Sequence, residues 1–345
     1  MNKRLLLANL CETTGTTEAL LTKRRRTHAT WLPILTFHRV HAMERGVEFP
    51  FDEGVVDTDP RSFERQVEVI AKYFRPVGID DVVRYFDGAA LPANPVLVTF
   101  DDGYRDNHEL ALPILKRHGV RAVFFIATDY VTRRKMFWWD RINYVIKKSR
   151  RREVALAYPY SLTLRLWPRD ERRTTIEVLL RLVKSWIGLD LERFLVQLAT
   201  ACGVELDSAQ ERALADEALM TWDHVRELRA AGMDVQSHTR THRVLQTLDA
   251  SALADELLGS RADLERELGE PVTAISYPVG YSIAKADAIR RAVVDAGYKI
   301  GFTNQTGTVP LGPGIDRFDV NRIALDRQTS DALFRAMLAL PIIFD

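Results

Sequence analysis

Two short stretches of this 345-residue chain concentrate side chains that do chemistry. The first is Val96-Leu97-Val98-Thr99-Phe100-Asp101-Asp102-Gly103-Tyr104, an apolar run that stops at two carboxylates and a glycine. Aspartate is a good helix N-cap and anions suit a helix N-terminus, so capping accounts for one acid. A second, adjacent acid fits a division of labour in which one carboxylate binds a cation and the other handles a proton. The second stretch is Asp234-Val235-Gln236-Ser237-His238-Thr239-Arg240-Thr241-His242, where two imidazoles sit four residues apart. In a helical turn that spacing puts both rings on one side. With one carboxylate they make a His, His, Asp set that leaves positions for water and substrate, as a catalytic divalent site requires. A lone histidine is more often a satisfied or solvent-facing residue; the coincidence of the two pairs is what points to a metal site.

Short β-branched, apolar runs at 34–40, 74–77, 96–100, 122–126, 234–237, 274–277, 299–303 and 322–325 read as strands. Between them lie amphipathic helical stretches. Residues 61–73 place Phe63, Val67, Ile70 and Ala71 on one face, and the patterns at 110–118, 250–268 and 287–296 each run into a glycine, the residue that closes a helix in the left-handed conformation. The alternation predicts an α/β protein, a (β/α)7–8 TIM-like barrel. From about 135 to 220 the strands stop and the residues read as helices rich in Arg, Leu and Glu, with a turn at Tyr158-Pro159-Tyr160. The expected organisation is an N-terminal extension (1–30), a barrel (31–134 and 221–345) and a helical insertion in a βα loop (135–220). Barrel enzymes build their sites at the C-terminal ends of the strands. On this assignment Asp101 and Asp102, His238 and His242, the turn Tyr277-Pro278-Val279-Gly280, and His38 all meet on one rim.

The 48 basic and 47 acidic residues give a net charge of +1, which argues against electrostatic capture of nucleic acid. A hydrophobic content of 46% with 28% charged residues fits a soluble globular chain with a sizeable core. Cys11 and Cys202 match neither a disulfide framework nor a Cys-x-x-Cys metal site and read as free thiols. The basic Met1-Asn2-Lys3-Arg4 and the apolar run after it fail at Glu12 without a small-residue cleavage site, and no segment reaches the ~20 apolar residues of a membrane span. A cytoplasmic location is the expectation. Two basic runs offer a choice of readings. Lys23-Arg24-Arg25-Arg26 is a solvated charge run or a peripheral contact with anionic lipid, at ~1 kcal/mol per charge. The basic stretch 148–173, with Arg150-Arg151-Arg152 and Arg172-Arg173, is a solvated helical face or a contact for an anionic portion of a substrate.

The Thr99-Phe100-Asp101-Asp102-Gly103 and Ser237-His238-Thr239-x-Thr241-His242 motifs resemble those of the polysaccharide deacetylases with a NodB homology domain, carbohydrate esterase family 4. The resemblance implies a distorted barrel in which Asp101 is the general base and Asp102, His238 and His242 hold the metal, zinc by default with Co2+, Ni2+ or Mn2+ as substitutes. Pro278-Val279-Gly280 looks like the family's third motif, where the N–H after the proline binds the oxyanion; Tyr104 is grouped with Pro278 and Val279 on the oxyanion and substrate side. The chain departs from the pattern twice. Ser276 and Val279 stand where the usual aromatic or arginine companions belong, which predicts a base without its tuning arginine. The late Leu-x-His motif is replaced by Asn321-Arg322-Ile323-Ala324-Leu325, and no histidine follows His242. Members that look circularly permuted bring the acid from an N-terminal strand, which nominates His38 in Phe37-His38-Arg39-Val40.

The activity so implied is removal of an N-acetyl group from an N-acetylhexosamine in a glycan or glycoconjugate. An N-acetylated sugar is the expected partner and nucleic acid is not. Phe137-Trp138-Trp139-Asp140, at the start of the insertion, either stacks on sugar rings or packs on the barrel. Two other readings use the same residues: an amidohydrolase for a formyl or ring amide, separated by substrate profiling, and a non-catalytic carbohydrate-binding protein, disfavoured because both acids and both histidines are present.

Overall fold

The computed structural model describes residues 3–25, 31–44 and 46–344. Seven parallel strands close into a barrel: β1 (Ile34–Phe37), β2 (Pro95–Phe100), β3 (Val123–Ile126), β4 (Asp234–Ser237), β5 (Ala274–Ser276), β6 (Ile300–Thr306) and β7 (Val320–Ala324). Closure is made by β1, which pairs with β2 through Ile34↔Leu97 to Phe37↔Phe100 and with β7 through Leu35↔Ile323 and Thr36↔Ala324. The expected strand at 74–77 shrinks to Arg75–Pro76, paired with the start of β2 beside the ring. Pro76 has no N–H to donate, which limits pairing on that side.

The strands read as near-continuous apolar runs because both their faces are buried. Successive side chains point to opposite faces. One set, including Ile34, Leu97, Val123, Phe125, Ala274, Ile300, Phe302 and Val320, clusters together as the barrel interior. The other set, including Phe37, Phe100 and Phe124, belongs to a second cluster shared with the helices. The helix Pro60–Tyr73 shows why. Asp59 caps it by accepting from the Arg61 and Ser62 N–H groups, and its buried stripe Phe63, Gln66, Val67, Ile70 and Tyr73 sets Phe63 edge-on to Phe37 at 5.2 Å. The two-residue period that puts Leu97 inside also aims Thr99 and Asp101 along the barrel axis, and on β7 it aims Arg322 there with Val320.

Between β3 and β4 the chain builds a helical unit with its own core, in which Phe137, Trp138, Trp139, Ile142, Phe194 and Leu198 are buried. This segment is not purely helical, as the sequence suggested. Glu153–Leu156 and Leu162–Arg165 form an antiparallel hairpin across the Tyr158-Pro159-Tyr160 turn. The alternating burial of Glu153 to Leu156 is a strand signature, but four residues are too few to stand out among long helices. At the N-terminus, Lys3–Thr13 and Thr16–Arg24 are helices, and Arg335 of the helix Asp331–Ala339 pairs with Glu12 and Glu18 on them. Arg24 is buried: it donates to the Leu338 carbonyl and lies 4.1 Å over the Trp31 ring, so it is not available to lipid. Arg26 of the same basic run lies outside the described residues. Among the described residues no helix is long and apolar enough to cross a membrane.

Candidate metal centre and reaction pocket

Asp102, His238 and His242 each offer a ligand atom within 4.8 Å of the other two, and all three are buried. His238 follows β4 and Asp102 follows β2, so the parallel strands deliver them to the same barrel end. His238 Nε2 lies 3.4 Å and His242 Nε2 3.5 Å from Asp102 Oδ1. The His238 ring is oriented from behind: its Nδ1 lies 2.8 Å from the Ser276 carbonyl, which turns Nε2 inward, the usual arrangement for a metal-ligating imidazole. Asp102 Oδ1 and His242 Nδ1 are buried without a hydrogen-bond partner among the described residues, a deficit that a bound cation relieves at the carboxylate. Burial, followed by the neighbouring His238, pushes the His242 imidazole down to about 3, which keeps it neutral. Burial raises the Asp102 carboxyl, but the histidines around it hold it below the ordinary carboxylate value. A carboxylate at Asp102 and a neutral imidazole at His242 are protonation states a cation needs of its ligands.

This geometry is held under strain. Asp102, Thr239 and His242 adopt φ of 76°, 63° and 52°, in the left-handed region that non-glycine residues rarely occupy, each at an order of 1–3 kcal/mol. The surroundings over-determine the loop. Glu256 accepts from the Arg240 and Thr241 N–H groups and from the Thr241 hydroxyl, and the Thr239 carbonyl accepts from Thr128 N. Trp138 Nε1 donates to the His242 carbonyl at 3.3 Å, while the Trp139 ring lies 4.4 Å from the His242 ring.

Asp101 is not without an arginine. Arg322, fully buried on β7, donates from Nη1 to Asp101 Oδ1 at 2.9 Å and from Nη2 to Oδ2 at 2.7 Å. Its remaining donors are satisfied by Thr99 Oγ1, Ser276 Oγ and the Thr303 carbonyl, and Ser276 Oγ itself donates to Asp101 Oδ2 at 3.1 Å. The arginine expected beside Ser276 and Val279 is thus supplied from a different strand, by the Asn321-Arg322-Ile323 segment that offered no histidine. Burial would raise the Asp101 carboxyl; the Arg322 charge and hydrogen bonds, with His238 nearby, reverse this and hold it well below the ordinary range. Oδ2 lies 3.9 Å from His238 Nε2, at the edge of the triad.

His38, half-buried at the end of β1, faces the same space. Asp57, missed in the sequence because nothing distinguishes a lone acid in Val55-Val56-Asp57, lies 3.0 Å from His38 Nδ1 and also accepts the His38 backbone N–H. Burial depresses the imidazole, but Asp57, aided by Asp102 and Asp101, outweighs it and carries His38 up to about 9. Asn107, in a π-turn after the Asp pair, donates to the His38 carbonyl at 2.7 Å.

His38, Asp101, Asp102, His238, His242 and Val279 line one cavity of about 200 Å3, and Trp138, Trp139 and Lys184 line it too. Val279 has a φ of 61° in the turn after β5. Two expected site residues are elsewhere. Pro278 is buried outside the lining, and the Tyr104 side chain turns into the core of the helical unit, donating to Asp140 at 3.1 Å and accepting from Trp139 Nε1 at 2.7 Å. Trp139 and Trp138 are only 4% and 2% exposed, so they support His242 more than they offer a stacking platform.

The polysaccharide deacetylase family model matches residues 88–161 and 199–301. The chain belongs to that family. The matched blocks contain the Asp pair, the His pair and the Pro278 turn, and break off inside the helical unit. In sequence the chain is 20% identical over 244 residues to "Putative polysaccharide deacetylase YxkH" of Bacillus subtilis (strain 168), covering 70% of this chain and 56% of that relative's length. In structure it is similar to the deacetylase PplD of Streptococcus pyogenes, solved in complex with acetate: TM-score 0.55, 19% identity, covering 88% of this chain and 96% of that one. It is likewise similar to IcaB from Ammonifex degensii, with a TM-score of 0.54 at 19% identity over 91% of this chain and 99% of that one. These likenesses establish the fold, a distorted barrel closed by seven parallel strands.

Proposed function

We propose that the chain is a zinc-dependent carbohydrate N-deacetylase that hydrolyses the acetamide of an N-acetylhexosamine in a glycan or glycoconjugate. The observation that carries this reading is Asp101, clamped by Arg322, at the edge of the buried Asp102, His238 and His242 triad. A divalent cation held by that triad would supply Lewis acidity and let water lose a proton, and so attack, at neutral pH. Asp101 accepts the proton of the attacking water, and Arg322 keeps it anionic and oriented. The Val279 N–H faces the developing oxyanion, a type of interaction worth roughly 3 kcal/mol per donor. His38, charged at neutral pH through Asp57, gives its proton to the departing amine. Water thus adds across the C–N bond, leaving acetate and a free amino sugar.

The segment 135–220 is an insertion that walls the pocket, and the protein works in the cytoplasm, which cell fractionation checks. The test is acetate release from soluble and polymeric N-acetylhexosamine substrates by protein reconstituted with Zn2+, Co2+, Ni2+ or Mn2+. Acetate from at least one N-acetyl sugar, abolished by chelation, is the expected result. Formate from an N-formyl substrate with no acetate from any sugar would overturn the assignment in favour of another amide.

A further inference from the structure

Beside the reaction pocket lies a larger cavity of about 600 Å3, and the two share Asp52, Gly54, Val55 and Lys184 as a common wall. A volume in the range of roughly 300–1,000 Å3 suits a ligand of substrate size, which the smaller pocket alone does not hold. One side of the large cavity is the helix Arg169–Ser185, whose residues at 169, 173, 176, 180 and 184 recur at helical spacing along it. Six cationic and four acidic side chains line this space.

The cations are not equivalent. Arg172 is spent on structure, donating to the Lys147, Ser149 and Leu166 carbonyls. Lys147 is likewise spent on the Phe49 and Phe51 carbonyls. Arg169 and Arg173 sit at the mouth in exposed pairs with Glu48 and Glu177, contacts worth about 0–1 kcal/mol and readily exchanged. Arg327 pairs with Glu53 at 3.7 Å, whereas Lys184 is half-buried, borders both cavities and, among the described residues, makes no ion pair or hydrogen bond. Asp52 and Asp102 are the acids whose charge reaches it, neither within ion-pair distance of it among the described residues, and Asp52 is turned onto the Gly54 N–H. An ammonium withdrawn from water without a partner is a cost unless an anion meets it. Val55, Ile176 and Leu180 add apolar side chains to the lining.

We infer that the large cavity binds a phosphate-bearing group attached to the N-acetylated sugar, with Lys184 at the partition meeting the phosphate next to the sugar ring. This rests on the deacetylase reading for the sugar but on the cavity for the phosphate. The substrate is then a sugar phosphate or diphosphate and not a neutral polymer, and the cations at the mouth take the more distant charge.

The test uses the zinc-loaded full chain and products, which are not turned over. Glucosamine 1-phosphate is expected to bind at least tenfold more tightly than methyl glucosaminide by calorimetry. Lys184→Gln should lower that ratio about tenfold and Lys184→Arg should restore most of it, with zinc content and melting temperature checked for each variant. Equal affinity of the two ligands, or a ratio unmoved by Lys184→Gln, overturns the inference. UDP and farnesyl diphosphate as competitors identify the carrier: stronger displacement by UDP points to a nucleotide, by farnesyl diphosphate to a lipid, and displacement by neither overturns the inference. Acetate release from methyl N-acetylglucosaminide is read separately, so failure of the deacetylase reading leaves a different trace from failure of the phosphate site.

Discussion

Replacing Arg322 by Met isolates what its guanidinium does for Asp101. The two side chains are 1% and 2% exposed and meet through two hydrogen bonds of 2.9 and 2.7 Å, so water cannot substitute for the lost partner. Removing one member of such a buried pair costs about 3–5 kcal/mol, because the remaining charge is stranded. The sign with pH follows. In the wild type Asp101 is held below its ordinary value, so its contribution to stability is present above that value and is lost as pH falls through the lowered one. Without Arg322, burial dominates and lifts the carboxyl above its ordinary value, so the sign reverses: the variant is most destabilised at neutral pH and regains stability as pH falls through the raised value. Denaturant unfolding across pH 4–8 measures this directly. Activity reports the same event: kcat should fall by about 10²-fold at neutral pH through misplacement of the base, and the acidic limb of the rate profile should move up by more than one pH unit. A stability loss under about 1 kcal/mol, or an acidic limb that does not move, would refute the clamp as the control of Asp101.

Three other outcomes are expected. His242→Ala should abolish stoichiometric zinc in metal analysis and the stabilisation of about 2.7 kcal/mol that zinc at 100 times its Kd gives the wild type. For His38, whose imidazole is raised to about 9, the pairing with Asp57 stabilises fully below the ordinary value of 6.5 and fades as pH rises through 9. The stability gap between wild type and Asp57→Asn should therefore close over that window in chemical denaturation, the basic limb of activity should drop by more than one unit, and His38→Gln should lose about 10²- to 10⁴-fold in kcat. Trp139→Ala removes a ring packed on both His242 and Phe137 and should cost about 3–5 kcal/mol in unfolding, with weakened zinc retention.

The parts of the site that were legible in the sequence are those carried by contiguous motifs. The Asp pair ends an apolar run and the His pair spans a single turn, so both show their chemistry within a few residues. Arg322 was not legible as a site residue because its partner is 221 residues away in the chain. A signal existed: an arginine in step with Val320, two residues on, is an inward-facing charge on a buried strand and needs an anion. Asp57 carries no such mark, since its role depends on the path of the loop after β1. Tyr104 was misplaced because adjacency to Gly103 says nothing of which way a side chain turns when φ at Asp102 and Gly103 is positive. The barrel itself was readable from strand and glycine spacing, whereas the hairpin in the helical unit was too short to compete with its neighbours. The run at Arg24 shows the limit of counting charges, since its guanidinium caps a carbonyl and stacks on Trp31.

The ring is closed by pairing its first strand with its last, Leu35 with Ile323 and Thr36 with Ala324. His38 at the end of β1 therefore stands between the strand that carries Asp101 and the strand that carries Arg322. During synthesis on the ribosome the early part of the chain cannot complete its ring until β7 has emerged, and such long-range closure is intrinsically slow. Until then Asp101 lacks its cation and His38 lacks its neighbour on one side. Assembly of a competent centre consequently waits for β7, by which point the whole helical unit has already been synthesised.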